Sequence, residues 1–146
     1  MEDEQVQVVC REAAQGEIVT AVNYNSPGQV VVAGAAAAVA RAIEAAKAAG
    51  AKRALLLPVS VPSHCALMQP AADNMRMVLK DVAITPTKTP VINNADVACY
   101  QEPEQIRDAL VRQLVSPVRW VEKKKRWPPA ASEMSSNVAR VKCLLA

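Results

Sequence analysis

A chain of 146 residues with a net charge of +3 is sized for one domain, or one domain and a piece. Only 3% of its residues are aromatic and phenylalanine is absent, so its core has to be built from Val, Ala, Leu, Ile and Met. No run approaches the roughly 18 consecutive apolar residues of a membrane span. The N-terminus MEDEQVQVVC has neither the basic nor the apolar region of a signal peptide. Cysteines stand at 10, 65, 99 and 143, none in a CxxC pair, beside a single histidine; this speaks against a zinc site. Scattered thiols without a framework fit a reducing cytosol, and a cytoplasmic location is expected. The charge is uneven. Residues 122–146 carry six basic and two acidic residues, whereas residues 1–121 carry 11 and 12. A nucleic-acid reading would rest on the KKKR run at 123–126 alone, which is more simply a solvated stretch.

The elements follow in chain order. Residues 3–14 read as a helix with Val6, Val9, Cys10 and Ala13 on one face, and Gly16 reads as its stop. Residues 17–24 are β-branched and predict a strand. NSPG at 25–28 predicts a turn, and QVVVAG at 29–34 predicts a second strand paired with the first as a hairpin. The alanine-rich stretch 35–50 is a helix by propensity, with Val39, Ala42, Ile43 and Ala46 as its packing stripe. Residues 51–61, AKRALLLPVSV, read as a strand that is apolar on both faces and ends near Pro58. Residues 63–80 predict a helix that Pro70 must kink or delay. A short strand and turn are expected at 90–97, and a helix within 102–120 that Pro117 ends. The order α-β-β-α-β would become the split β-α-β-β-α-β arrangement if one strand stood in front. The fold class is therefore α/β (α+β): a ferredoxin-like subdomain over residues 1–58 lacking its first strand, followed by further α/β structure.

The stretches NYNSPGQVVVAG, AAKAAGAKRALLLPVSVPSHCALMQPAAD, TPVINNADV and IRDALVRQLVSPVRW resemble bacterial malonyl-CoA:acyl-carrier-protein transacylases, from about residue 2 to residue 121. The block PVSVPSH is the most specific of them. The resemblance implies that residues 59–121 are part of an α/β-hydrolase-like acyltransferase domain. It implies ping-pong transfer of malonyl from malonyl-CoA through a serine to acyl carrier protein, in fatty acid biosynthesis. It further implies that His64 is the catalytic base and that Asn93 and Asn94 lie near the substrate. Imidazole suits that work, since it gains and loses a proton near neutral pH. No cofactor is expected beyond malonyl-CoA as substrate, and neither nucleic acid nor membrane is expected as a partner.

The family's GHSxG serine elbow is absent here, and Ser26, Ser60 and Ser63 lie in no elbow motif. The isolated chain is accordingly expected to be a fragment that does not turn over. The alternative is a non-catalytic remnant or a module that docks the carrier protein, with Lys47, Lys52, Arg53, Arg107 and Arg112 as candidate cations. Cys65 follows His64, but neighbours on a helix point about 100° apart, which favours a structural thiol over a Cys–His dyad. The tail 122–146 shows no resemblance and no periodicity. It reads as poorly ordered and as the product of a shifted frame, in which the same codons can spell GPGKVL.

Overall fold

The structure is a computed structural model and describes residues 1–126; the expectations for residues 127–146 lie outside the described residues. It is a mixed α/β arrangement built on a two-stranded antiparallel sheet. Helix α1 spans Asp3–Ala14, with Asp3 and Glu4 in its first turn, where the positive end of the helix dipole favours them. Strand β1 is Val19–Ser26 and β2 is Gln29–Gly34. They pair antiparallel with register shifts after Ala21 and after Tyr24. Helix α2, Ala36–Ala48, packs with α1 against the hairpin. Val9, Ala13, Val19, Ala38 and Ala42 close this core. Ala38 and Ala42 present almost no bulk, so α2 can approach closely.

Two details fasten this unit. Arg41 on α2 donates to the carbonyls of Ala13 and Ala14 at 2.8 and 3.0 Å and pairs with Glu17 at 2.7 Å. It thereby satisfies carbonyls that the end of α1 leaves without an intrahelical donor. Gly34 meets the Ile18 carbonyl so closely that a Cβ would stand 2.2 Å from it, and the next amide, Ala35, bonds that same oxygen at 2.8 Å. Helix α1 ends at Ala14 as expected, and the stop takes in two residues. Gln15 takes the left-handed conformation at φ 46°, and Gly16 follows at φ 88°.

Beyond residue 50 the outcome changes. Residues 51–61, expected as a strand, form neither helix nor strand. A strand is made by pairing, and the only backbone bond within 52–61 runs from Val59 N–H to the Leu57 carbonyl at 2.8 Å. The helix expected over 63–80 resolves into a 3-10 turn at Ala66–Met68 and helix α3, Gln69–Leu79. Pro70 delays the start and sits in the first turn of α3, where its missing N–H has no helical partner to lose. Residues 90–97 form no strand but one antiparallel bridge, Ile92 to Cys99. Helix α4 runs Pro103–Arg112, ending short of Pro117. Arg107 on α4 holds the end of α3 by donating to the carbonyls of Leu79 and Val82.

The chain then returns to the hairpin. Val118 bonds β1 through its N–H to Val22 O at 2.7 Å and accepts from Tyr24 N–H at 3.0 Å. A last helix, α5, spans Trp120–Arg126, where the sequence shows no periodicity. Lys123 leaves the solvated run by donating to Asn94 Oδ1 at 3.0 Å and lying 5.2 Å from the Trp120 ring centre. No helix among the described residues is long and apolar enough to cross a membrane.

Candidate functional site

His64 sits in the turn between the extended segment and α3. Its backbone has φ +66°, a conformation that costs a residue other than glycine roughly 1–2 kcal/mol. Three bonds hold the turn there. The His64 N–H donates to Leu114 O at 3.1 Å. The Cys65 thiol donates to Pro62 O at 3.2 Å. The imidazole Nδ1 lies 2.7 Å from Gln113 O. Cys65 is buried and tied to the turn, so it is a structural thiol and forms no dyad with the ring.

The Gln113 contact fixes the chemistry of the ring. A carbonyl oxygen only accepts, so Nδ1 has to carry the proton. In the neutral imidazole Nε2 is then the acceptor, with its lone pair free. No side chain among the described residues hydrogen-bonds Nε2. Gln113 is the C-cap of α4. Its carbonyl is one of those that a helix end leaves without an intrahelical donor, and the ring N–H supplies that donor. A carboxylate or a backbone carbonyl can orient an imidazole through Nδ1–H; here the carbonyl at the end of α4 does so. A backbone carbonyl has no residue signature, so nothing at position 113 announced it in the sequence.

Asn93 and Asn94 stand elsewhere. Asn93 Oδ1 accepts from the amides of Ala95 and Asp96 at 2.8 and 3.4 Å, closing a turn on itself. Asn94 accepts from Lys123, and its carbonyl accepts from Arg119 N–H at 3.2 Å. Neither lines the groove that His64 borders. Beside them lies a charged hub. Arg112 binds both Asp96 and Asp108, and the Tyr100 hydroxyl donates to Asp96 at 3.1 Å. The Arg112 guanidinium holds the Asp96 carboxyl below the ordinary range, and Asp96 in turn raises Arg112. Val97 in this loop has φ +55°, rare for a β-branched residue; its carbonyl accepts from Arg126.

Of the five candidate docking cations, three are engaged. Lys47 pairs with Glu44, Arg107 with Glu104 and the end of α3, and Arg112 with its two aspartates. Lys52 and Arg53 are exposed and have no ion pair among the described residues.

His64 also borders a groove of about 750 Å³. Its walls are β2 and residues 53–63, and side chains of α1 and α2 form its floor.

The acyl transferase domain family matches this chain over residues 2–138. The malonyl CoA-acyl carrier protein transacylase of Escherichia coli (strain K12) is 57% identical over 120 residues, 82% of this chain and 39% of that protein. An acyl carrier protein S-malonyltransferase from Vibrio cholerae superposes with a TM-score of 0.83 at 53% identity, covering 94% of this chain and 42% of that one. A malonyl-transacylase in complex with its holo type II PKS acyl-carrier protein superposes with a TM-score of 0.85 at 53% identity, covering 92% and 42%. The chain thus spans about two-fifths of the length of these relatives.

Proposed function

The chain belongs to the acyl transferase domain family, and on that premise we propose that it carries the proton-transfer part of a malonyl transacylase. The reaction is malonyl transfer from malonyl-CoA to acyl carrier protein in fatty acid synthesis, in the cytoplasm. The observation that carries the reading is the 2.7 Å contact between His64 Nδ1 and Gln113 O.

In the first half-reaction a serine hydroxyl attacks the thioester carbonyl of malonyl-CoA. His64 Nε2 takes the hydroxyl proton as the C–O bond forms. The positive ring that results is held by the Gln113 carbonyl at the end of α4. When the C–S bond breaks, the same nitrogen returns the proton to the departing thiolate of coenzyme A. In the second half the thiol of the carrier's phosphopantetheine attacks the malonyl-serine ester. His64 accepts the thiol proton and delivers it to the serine oxygen as the ester C–O bond breaks. Each half leaves the ring neutral with Nδ1–H still bonded to Gln113 O. The serine is not one of Ser26, Ser60 and Ser63, and residues 1–126 alone are expected not to turn over.

A chimaera tests this directly. The matched 120 residues of the Escherichia coli transacylase are replaced by the corresponding stretch of this chain, and malonyl transfer to holo carrier protein is measured. The chimaera is expected to turn over. His64→Ala should then lower kcat by about 10²–10⁴, the range of a positioned general base, with the fold unchanged by circular dichroism. A His64→Ala chimaera of undiminished rate would overturn the assignment. Tight carrier binding by a chimaera that does not turn over would favour the docking-module reading, with Lys52 and Arg53 as the cations to replace.

A further inference from the structure

We infer that the Arg112–Asp96 ion pair is a positioning device for His64: it fixes the last turn of α4 so that the Gln113 carbonyl stays on the imidazole Nδ1. The role rests on the reading of His64 as the proton carrier. Neither Arg112 nor Asp96 hydrogen-bonds the ring, so both act through the backbone.

The end of α4 leaves two carbonyls open. The N–H groups of Leu114 and Val115 turn back to the carbonyls of Val111 and Arg112 at 3.2 and 3.1 Å, three residues earlier, which tightens the last turn. The next two carbonyls serve His64 instead. Gln113 O meets ring Nδ1 at 2.7 Å, and Leu114 O accepts the His64 N–H at 3.1 Å. One histidine thus depends on the direction of two consecutive carbonyls, at a place where helices fray unless tied.

Arg112 is the tie. Its guanidinium reaches back one turn to Asp108 on the same helix and across to Asp96 in the loop before α4. Asp108 alone would stiffen α4 but leave it free to move as a body. Asp96 adds an anchor off the helix, and that anchor is itself held. Asn93 Oδ1 accepts from the Ala95 and Asp96 amides, the Tyr100 hydroxyl donates to Asp96 at 3.1 Å, and Asn94 O accepts from Arg119 N–H at 3.2 Å. Arg119 follows Val118, whose N–H and C=O both bond β1. A continuous series of bonds therefore runs from the hairpin through Asp96, Arg112 and Gln113 to the imidazole. The planar fork of arginine suits the bridging place, because it offers donors to two carboxylates at once. Exposed ion pairs contribute little, but the Asp96 side chain is only 24% exposed, less than any other acidic partner of an ion pair among the described residues.

The test exploits the single histidine of the chain. Nitrogen NMR of the full chain, labelled at the histidine ring and held at about pH 9, where free imidazole is neutral, reports which nitrogen carries the proton. Nδ1–H is expected to dominate. Arg112→Met keeps the aliphatic stem and loses the fork; it should lower the ratio of Nδ1–H to Nε2–H about fivefold, as for loss of one hydrogen bond between neutral groups. Asp96→Ala, which lies outside any helix and so spares α4 itself, should do the same. The double variant should do no more than either, because the pair acts as a unit. Glu104→Gln breaks the ion pair at the other end of α4 and should leave the ratio unchanged. In the Escherichia coli chimaera Arg112→Met should lower kcat about tenfold, since misorientation alone costs up to about 10²-fold, with KM for malonyl-CoA unchanged. A pair that only stabilised the fold would shift the thermal midpoint and move neither the tautomer nor kcat. An unmoved tautomer ratio, a wild-type ring without the Nδ1–H preference, or an equal shift in Glu104→Gln would overturn the inference. The two readings fail separately. A tautomer shift beside a chimaera that does not turn over keeps the positioning role and counts against catalysis by His64, whereas an unmoved tautomer beside an active, His64-dependent chimaera does the reverse.

Discussion

Residues 1–50 and residues 51–92 are similarly apolar in sequence yet differ in what they bury. The first stretch closes a core around Val9, Ala13, Val19, Val22, Ala38 and Ala42, with only Val8 and Ile18 among its large apolar residues exposed. The second buries Cys65 and Ala72 and leaves Leu55, Leu56, Val59, Val61, Leu67, Met77, Val78, Val82 and Val91 open. Apolar content does not decide stability; partners do. The hairpin and its two helices find theirs within 50 residues of chain. The later segments are apolar on faces that nothing among the described residues covers.

The same substitution placed in each region gives the largest contrast. Val22→Asp puts a carboxylate where the side chain is 2% exposed, at a cost of several kcal/mol for an unpaired buried charge. It should abolish cooperative melting followed by circular dichroism. Val59→Asp, at a residue 67% exposed, should shift the melt of the isolated chain by no more than about 0.5 kcal/mol. A large effect at Val59 would show that the 51–61 segment is already covered in solution.

Next in size is Gly34→Ala. The added methyl meets backbone atoms of Ile18 and Val19 at 2.2–2.9 Å, and strands cannot yield as a flexible side chain does. About 1–3 kcal/mol of destabilisation is expected, as for overpacking, measured by urea unfolding.

The charged hub gives a smaller, pH-dependent effect. Hydrogen bonding to Arg112 depresses the Asp96 carboxyl, so its stabilising contribution is full above the ordinary value of about 3.9 and fades as pH falls through the lower folded value. Amide exchange over residues 92–99 should quicken below about pH 4, and Asp96→Asn should remove that step.

The smallest expected change is a gain. Gln15 is exposed and left-handed at φ 46°, a conformation glycine adopts without penalty. Gln15→Gly should leave stability unchanged or raise it by up to about 1 kcal/mol, read from the thermal midpoint.

The local elements of residues 1–50 were legible because their causes are local. Alanine propensity makes α2, β-branched residues around NSPG make the hairpin, and periodic valines make α1. The segment 51–61 carried an equally clear strand pattern, but pairing depends on residues far away, and the pattern recorded only that ALLLPV is suited to burial. At the candidate site His64 was legible from its block, whereas the Gln113 carbonyl, the positive φ of His64 and the Arg112–Asp96 pairing were not. Each of these arises where α4 meets another segment, and no residue type advertises it. Asn93 falls within the turn expected at 90–97, and its side chain closes that turn.

Holding the imidazole with a main-chain oxygen shifts constraint from residue identity to geometry. Any side chain at position 113 presents the same C=O, so that position is free to vary. The length of α4 is not. One residue added or removed between Pro103 and Gln113 turns the final carbonyls by about 100° and aims them away from Nδ1. Insertions and deletions in this helix, more than substitutions, are what the site cannot absorb.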